Sequence, residues 1–200
     1  MTRTAIARTD WLDRLPETFS HALAANLGLS DWALARLLDE ELLEQLGRGW
    51  YTKTSSSPSD PDLLAIAARK PMATLCLRSA LARHGLCDDI PLEIDIALPA
   101  GTRPPKLALP IVWHRFDAAT FDLGRQSLDL GAGYAIGMYS PERSIIDAMR
   151  LRRIEGAELG YEALRRWLSR SGSQPAKLLT LASFFARTER PLRTALEILL

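Results

Sequence analysis

The stretch Leu27–Tyr51, LGLSDWALARLLDEELLEQLGRGWY, decides how the rest of the chain is read. Gly28 suits the left-handed residue that ends one helix, and Ser30 can cap the next through its side-chain oxygen. Leu34, Leu37 and Leu38 recur at helical spacing, so one face of a helix over Asp31–Glu40 points into a small core. Leu43 and Leu46 precede a Gly47-Arg48-Gly49 turn, and Trp50 and Tyr51 follow as apolar residues that favour a strand. Turn, helix and basic hairpin in that order predict a winged helix-turn-helix with its wing over Leu42–Thr52. Such a unit reads duplex DNA with a helix in the major groove. The same elements also serve as protein-binding modules, and the pattern alone leaves both uses open.

Upstream, Thr4–Leu15 reads as a first helix that offers Ile6, Trp11, Leu12 and Leu15 to the core. Pro16 interrupts it, and Phe19-Ser20 has the form of an apolar residue preceding a cap for a short helix over His21–Asn26. Trp32 and Arg36 lie one turn apart and off the leucine face, so they are expected to be exposed on the DNA-reading helix. With Ser30, Arg48 and Lys53 they make up the expected DNA-binding set.

Charge works against that reading. The chain of 200 residues carries 25 Lys and Arg against 24 Asp and Glu, a net charge of +1. Within residues 1–57 six cations (Arg3, Arg8, Arg14, Arg36, Arg48, Lys53) face eight carboxylates, a net charge of −2. A head of this kind has to concentrate its cations on one face to hold a phosphate backbone. No apolar run is long enough to cross a membrane, and the N-terminus lacks the apolar core of a secretory signal. Two cysteines, Cys76 and Cys87, with no metal-ligand spacing fit a reduced, cytoplasmic protein.

Downstream, Thr54–Pro61 is a Ser- and Pro-rich linker, which divides the chain into a head (1–53), a linker (54–61) and a C-terminal domain (62–200). In that domain a helix over Asp62–Lys70 is followed by a β-like run at Met72–Leu77 and a helix over Arg78–His84 closed by Gly85. Leu92, Ile94, Ile96 and Leu98 alternate with Glu93, Asp95 and Ala97, the pattern of a half-buried strand. Ile111–Phe116, Gln126–Leu130 and Tyr134–Tyr139 are further strands, the last two joined by Gly131-Ala132-Gly133. Ser140-Pro141-Glu142 starts a helix. The remainder is helical: Tyr161, Leu164 and Leu168 form an expected buried stripe, Leu178–Ala186 an expected central segment, and Pro191 opens the last helix, with Leu192, Ala195, Leu196 and Leu199 inward. The fold class expected is α+β, a winged helix-turn-helix followed by a mixed α/β domain with a helical C-terminal end.

Catalytic chemistry is hard to find in these residues. Gly131-Ala132-Gly133 and Gly137 do not open a helix, so they offer no phosphate cradle. Glu93 and Asp95 resemble the paired carboxylates of metal-dependent nucleases and nucleotidyltransferases. However, they lack the lysine or Gly-Ser turn those enzymes need and read better as the solvent face of an edge strand. The three histidines are scattered, so no enzyme activity, metal or cofactor is expected. Arg143 and Asp147, four apart, can pair along one helix face. Arg150, Arg152 and Arg153 follow that pair, and Arg165, Arg166 and Arg170 lie on the polar side of the next helix. If those helices pack together, the six arginines form either a second phosphate- or partner-binding face or simply a solvated one.

Taken in order, several segments resemble a known family. These are Arg48-Gly49-Trp50-Tyr51, Ala73-Thr74-Leu75-Cys76-Leu77-Arg78-Ser79-Ala80 with His84-Gly85-Leu86, Ser140-Pro141-Glu142-Arg143-Ser144-Ile145-Ile146-Asp147, and Glu162-Ala163-Leu164. They are similar to the AbiEi-type antitoxins of type IV toxin–antitoxin, or abortive-infection, systems of phage defence. The resemblance implies a winged head that binds inverted repeats of double-stranded DNA in its own promoter and represses transcription. It also implies a C-terminal domain that counteracts a nucleotidyltransferase-like toxin. Glu41 departs from the family pattern, which commonly has a glycine after the recognition helix. The competing expectations are a protein-interaction module whose winged head no longer binds DNA, and a degenerate nuclease or nucleotidyltransferase using Glu93 and Asp95. A nucleotidyltransferase gene directly downstream would favour the antitoxin.

Overall fold

A computed structural model describes residues 8–54, 60–88, 91–131 and 134–199. It is a mixed α+β protein with two sheets, and contacts group it into two compact units: Met1–Arg69 with Asp129–Ala135, and Lys70–Leu128 with Ile136–Leu200. The expected linker residues 55–59, the helix residues Thr4–Ala7, and Ala132 and Gly133 of the expected hairpin turn lie outside the described residues.

The first unit runs α1 (Arg8–Arg14), β1 (Thr18–Ser20), α2 (His21–Asn26), α3 (Asp31–Asp39), β2 (Leu43–Gly47), β3 (Trp50–Lys53) and α4 (Pro61–Arg69). Both inner helices begin at a serine cap. Ser20 Oγ accepts the Leu23 amide at 3.2 Å, and Ser30 Oγ accepts the Ala33 amide at 3.3 Å. Gly28, at φ +91°, makes the left-handed break between α2 and α3 that an ordinary side chain would resist. The strands form an antiparallel sheet of order β1-β3-β2. β1, which the sequence reading placed within a helix–cap junction, is a strand because Thr18 and Phe19 pair with Thr52 and Tyr51. The Thr18 and Thr52 hydroxyls hydrogen-bond at 3.1 Å, and the Phe19 and Tyr51 rings lie 5.9 Å apart. Leu15, Ala24, Leu29, Leu34, Leu37 and Leu43 complete the small core. Helix α4, which the sequence reading placed in the C-terminal domain, is part of this first unit.

Most of a five-stranded sheet of order β6-β5-β4-β8-β7 belongs to the second unit, the end of β7 and the start of β8 being grouped with the first. The strands are β4 (Thr74–Leu75), β5 (Ile94–Pro99), β6 (Ile111–Phe116), β7 (Arg125–Gly131) and β8 (Tyr134–Tyr139). β4 runs antiparallel to β5 and parallel to β8, and β5 runs parallel to β6. Helices α5 (Leu77–Arg83), α6 (Pro141–Arg150), α7 (Arg152–Glu155), α8 (Ala157–Leu168), α9 (Pro175–Ala182) and α10 (Glu189–Leu199) make up the rest of the second unit's regular structure. Most of them share one apolar core through Leu81, Ile145, Ile146, Met149, Leu164, Trp167, Leu178 and Leu192.

Several expectations are corrected. β5 is not a half-buried edge strand: it lies between β6 and β4, and Asp95 through Leu98 are all buried. Leu92 falls outside the strand and is 92% exposed. The β-like run at Met72–Leu77 shrinks to two paired residues, Thr74 and Leu75. On α8 the buried stripe is Leu159, Gly160, Ala163, Leu164 and Trp167, while Tyr161 is exposed. The expected central segment Leu178–Ala186 ends as a helix at Ala182, and Phe184 turns outward. In each case the surface came from neighbouring elements that periodicity along one segment cannot report.

Candidate nucleic-acid interface

The residues expected to bind DNA lie on α3, at its cap and on the β2–β3 hairpin. Ser30 is spent as the cap of α3, which leaves its backbone at the helix entrance. Leu34 and Leu37 turn inward and leave Trp32 on the outer face, 70% exposed. Arg36, one turn on, brings its guanidinium to 5.5 Å from the Trp32 ring centre, and its Nε donates to Glu40 Oε1 at 3.0 Å. A cation held by an aromatic face on one side and a carboxylate at one nitrogen keeps a narrow range of orientations. Asp31 is engaged as well, with its Oδ1 at 2.8 Å from His21 Nε2.

Arg48 sits at the hairpin tip between Gly47 and Gly49, and Gly49 takes the positive φ of +78° that the turn requires. The tip is steadied from two sides. The Gly49 carbonyl accepts the His21 amide at 2.8 Å, and the Arg48 carbonyl accepts a hydrogen bond from Arg69 Nη2. Arg69, at the end of α4, therefore adds a cation beside the β2–β3 turn. Sequence reading missed it because the domain boundary was drawn ahead of α4. The basic last turn of that helix was the available signal. Lys53 closes β3 and is half-buried. Glu41 adopts φ +55°, a left-handed conformation that favours glycine.

The second unit uses its arginines differently. Arg143 is completely buried on α6. Its Nε donates to Asp147 Oδ2 at 2.9 Å, and its Nη1 donates to the carbonyls of Thr120 at 2.7 Å and Leu123 at 2.6 Å. Its guanidinium lies 4.3 Å from the Tyr139 ring centre and 4.4 Å from that of Phe185. Arg150 Nε reaches the other oxygen of Asp147 at 2.7 Å. Burial pushes the Asp147 carboxyl above its ordinary range, while the two guanidinium groups pull against it. The Arg143–Asp147 pair is therefore the centre of a buried network rather than a surface helix pair.

Four of the six expected face arginines have partners within the unit. Arg150 is committed to Asp147, Arg152 Nη1 to the Met149 carbonyl, and Arg170 Nη2 to the carbonyls of His84 and Gly85. Arg166 pairs with Asp88 and Glu162, and the guanidinium beside Asp88 holds that carboxyl below its usual range. Arg153 and Arg165 remain exposed.

Asp95 is buried and is no solvent-facing carboxylate: its Oδ1 pairs with His114 Nε2 at 2.8 Å, and its amide donates to Ser79 Oγ at 2.8 Å. Glu93 is exposed and precedes the strand. Among the described residues no group of three His, Cys, Asp or Glu side chains could hold a metal. Both cysteines are buried, and burial raises the Cys76 thiol well above its ordinary value. No helix among the described residues is long and apolar enough to cross a membrane. Comparison of the sequence with protein-family models and with curated proteins finds no match.

Proposed function

We propose that the protein is a DNA-binding transcriptional autorepressor and antitoxin of a type IV toxin–antitoxin system, with a winged helix-turn-helix head. The observation that carries the reading is the order α1-β1-α2-α3-β2-β3 closed by the sheet β1-β3-β2, with Trp32 and Arg36 outward on the second of two serine-capped helices. A helix presented in this way beside a glycine-flanked basic hairpin is the geometry that places side chains on base edges and a cation on the adjacent backbone. The left-handed backbone at Glu41 supports the AbiEi resemblance, because it asks for the glycine that this family commonly carries there.

The test is footprinting of the purified protein on the DNA upstream of its own gene, together with co-expression with a nucleotidyltransferase-like toxin if the neighbouring gene encodes one. Protection of inverted repeats and rescue of growth are the expected results. Absence of protection at low salt would overturn the repressor, and unrelieved toxicity would overturn the antitoxin. One observation favours a second reading: Asp31, Asp39, Glu40, Glu41 and Glu44 crowd the same helix and hairpin entrance. A head that holds a basic protein instead of DNA would leave the upstream region unprotected and co-purify with its protein partner.

A further inference from the structure

We infer that Trp32 and Arg36 read a thymine–guanine step, with Trp32 covering the thymine methyl group and Arg36 donating to the major-groove edge of the adjacent guanine. The inference rests on the DNA-binding reading of the head and names what that site recognises. Three features lead to it. Trp32 is 70% exposed on the outer face of α3, so its apolar area is available to a partner in a groove. The one apolar group on a base edge in the major groove is the methyl of thymine. Arg36 lies beside it, its guanidinium 5.5 Å from the indole centre. Groups that close can meet neighbouring base pairs, which stack at roughly 3.4 Å.

The Glu40 contact decides what Arg36 does. Its Nε is occupied at 3.0 Å, and no other hydrogen bond of that guanidinium is formed among the described residues, so the two terminal nitrogens remain as donors. Two parallel donors match O6 and N7 of guanine. A phosphate is the poorer partner, because the Glu40 carboxylate beside the guanidinium cancels much of its long-range attraction and repels the incoming oxygens. Arg36 therefore contributes direction rather than net charge. Sequence-independent attraction falls instead to cations such as Arg48 and Lys53.

The experiment uses the full-length protein and the operator duplex defined by footprinting. Each thymine in the protected region is replaced singly by deoxyuridine, which removes the methyl alone, and each guanine by 7-deazaguanine, which removes N7. One deoxyuridine position should weaken binding about four-fold, the loss for unburying one methyl group. The neighbouring 7-deazaguanine should weaken it about five-fold or more, as expected for a broken bidentate contact. The Trp32→Ala variant should bind thymine and deoxyuridine operators equally, and Arg36→Ala should be indifferent to 7-deazaguanine at the neighbouring position. Arg36→Ala should also keep the wild-type slope of log affinity against log salt, since a base contact releases no condensed counterions. A clear footprint with no deoxyuridine effect, or an effect that persists in Trp32→Ala, would overturn the inference and leave the repressor reading standing. A flattened salt slope in Arg36→Ala would assign that arginine to phosphate and overturn the guanine contact. No protected region would overturn the DNA-binding reading and the inference together.

Discussion

Replacing Arg143 with alanine should unfold the second unit far more readily than any surface change of the same chemistry. The side chain is fully buried and makes an ion pair, two hydrogen bonds to backbone carbonyls and two aromatic stacks. Its removal leaves the Thr120 and Leu123 carbonyls without these donors and leaves Asp147, also fully buried, with Arg150 as its remaining cation. Stranding one member of a buried pair costs about 3–5 kcal/mol. Arg193 supplies the control, because it pairs with Glu189 at 2.7 Å with the same four-residue spacing but with both side chains about half exposed. Arg193→Ala should cost at most about 1 kcal/mol, since solvent screens an exposed pair. Both are measured by urea denaturation followed by circular dichroism.

Acidity sharpens the Arg143 test. A carboxyl whose folded pKa is raised contributes stability that is fully present below its unfolded value, near 3.8, and lost as pH rises through the folded value. Without Arg143 to oppose burial, the folded value of Asp147 rises further, so the loss extends to higher pH. The deficit of Arg143→Ala against wild type should therefore be largest at neutral pH and shrink as pH falls toward 4. A cost indistinguishable from that of Arg193→Ala, or a deficit that grows on acidification, would refute the account.

Gly124→Ala should destabilise the same unit, because the added methyl would meet Arg143 Cβ at 2.7 Å at a backbone φ of +72°; thermal melting would show the loss. Glu41→Gly should stabilise the head by about 1 kcal/mol by relieving a left-handed non-glycine residue, a gain read from the denaturation midpoint. Replacing Arg166 and Arg170 with glutamine should leave the salt dependence of DNA binding unchanged, because Asp88, Glu162 and backbone carbonyls already occupy them. Arg48→Ala, by contrast, should flatten the log–log salt slope by about 0.9 if the wing contacts one phosphate.

What could be read from the sequence was what a single segment determines. Ser20, Ser30 and Ser140 cap the helices they were expected to cap, and the spans of α2, β6 and β8 match because their caps, turns and apolar runs lie within a few residues. What could not be read depended on distant partners. β1 is a strand only because Trp50–Thr52 lies beside it, and β5 is an inner strand rather than an edge only because β4 and β6 flank it. The site divides along the same line. The exposure of Trp32 and Arg36 followed from the leucine face opposite, whereas Arg69 at the β2–β3 turn and Asp95 beside His114 are placed by contacts 21 and 19 residues away. The burial of Arg143 was invisible for the same reason, since Thr120, Leu123 and Phe185 come to it from other segments.

The sheet of the second unit ends in β6 on one side and β7 on the other, and such margins are where soluble proteins risk stacking into fibrils. Both are guarded in the sequence itself. β6 starts directly after Pro110 and carries His114 and Arg115, while β7 carries Arg125 and Asp129. Two copies meeting through β6 would bring the exposed Arg115 of each together, and the proline shortens the ladder they could form.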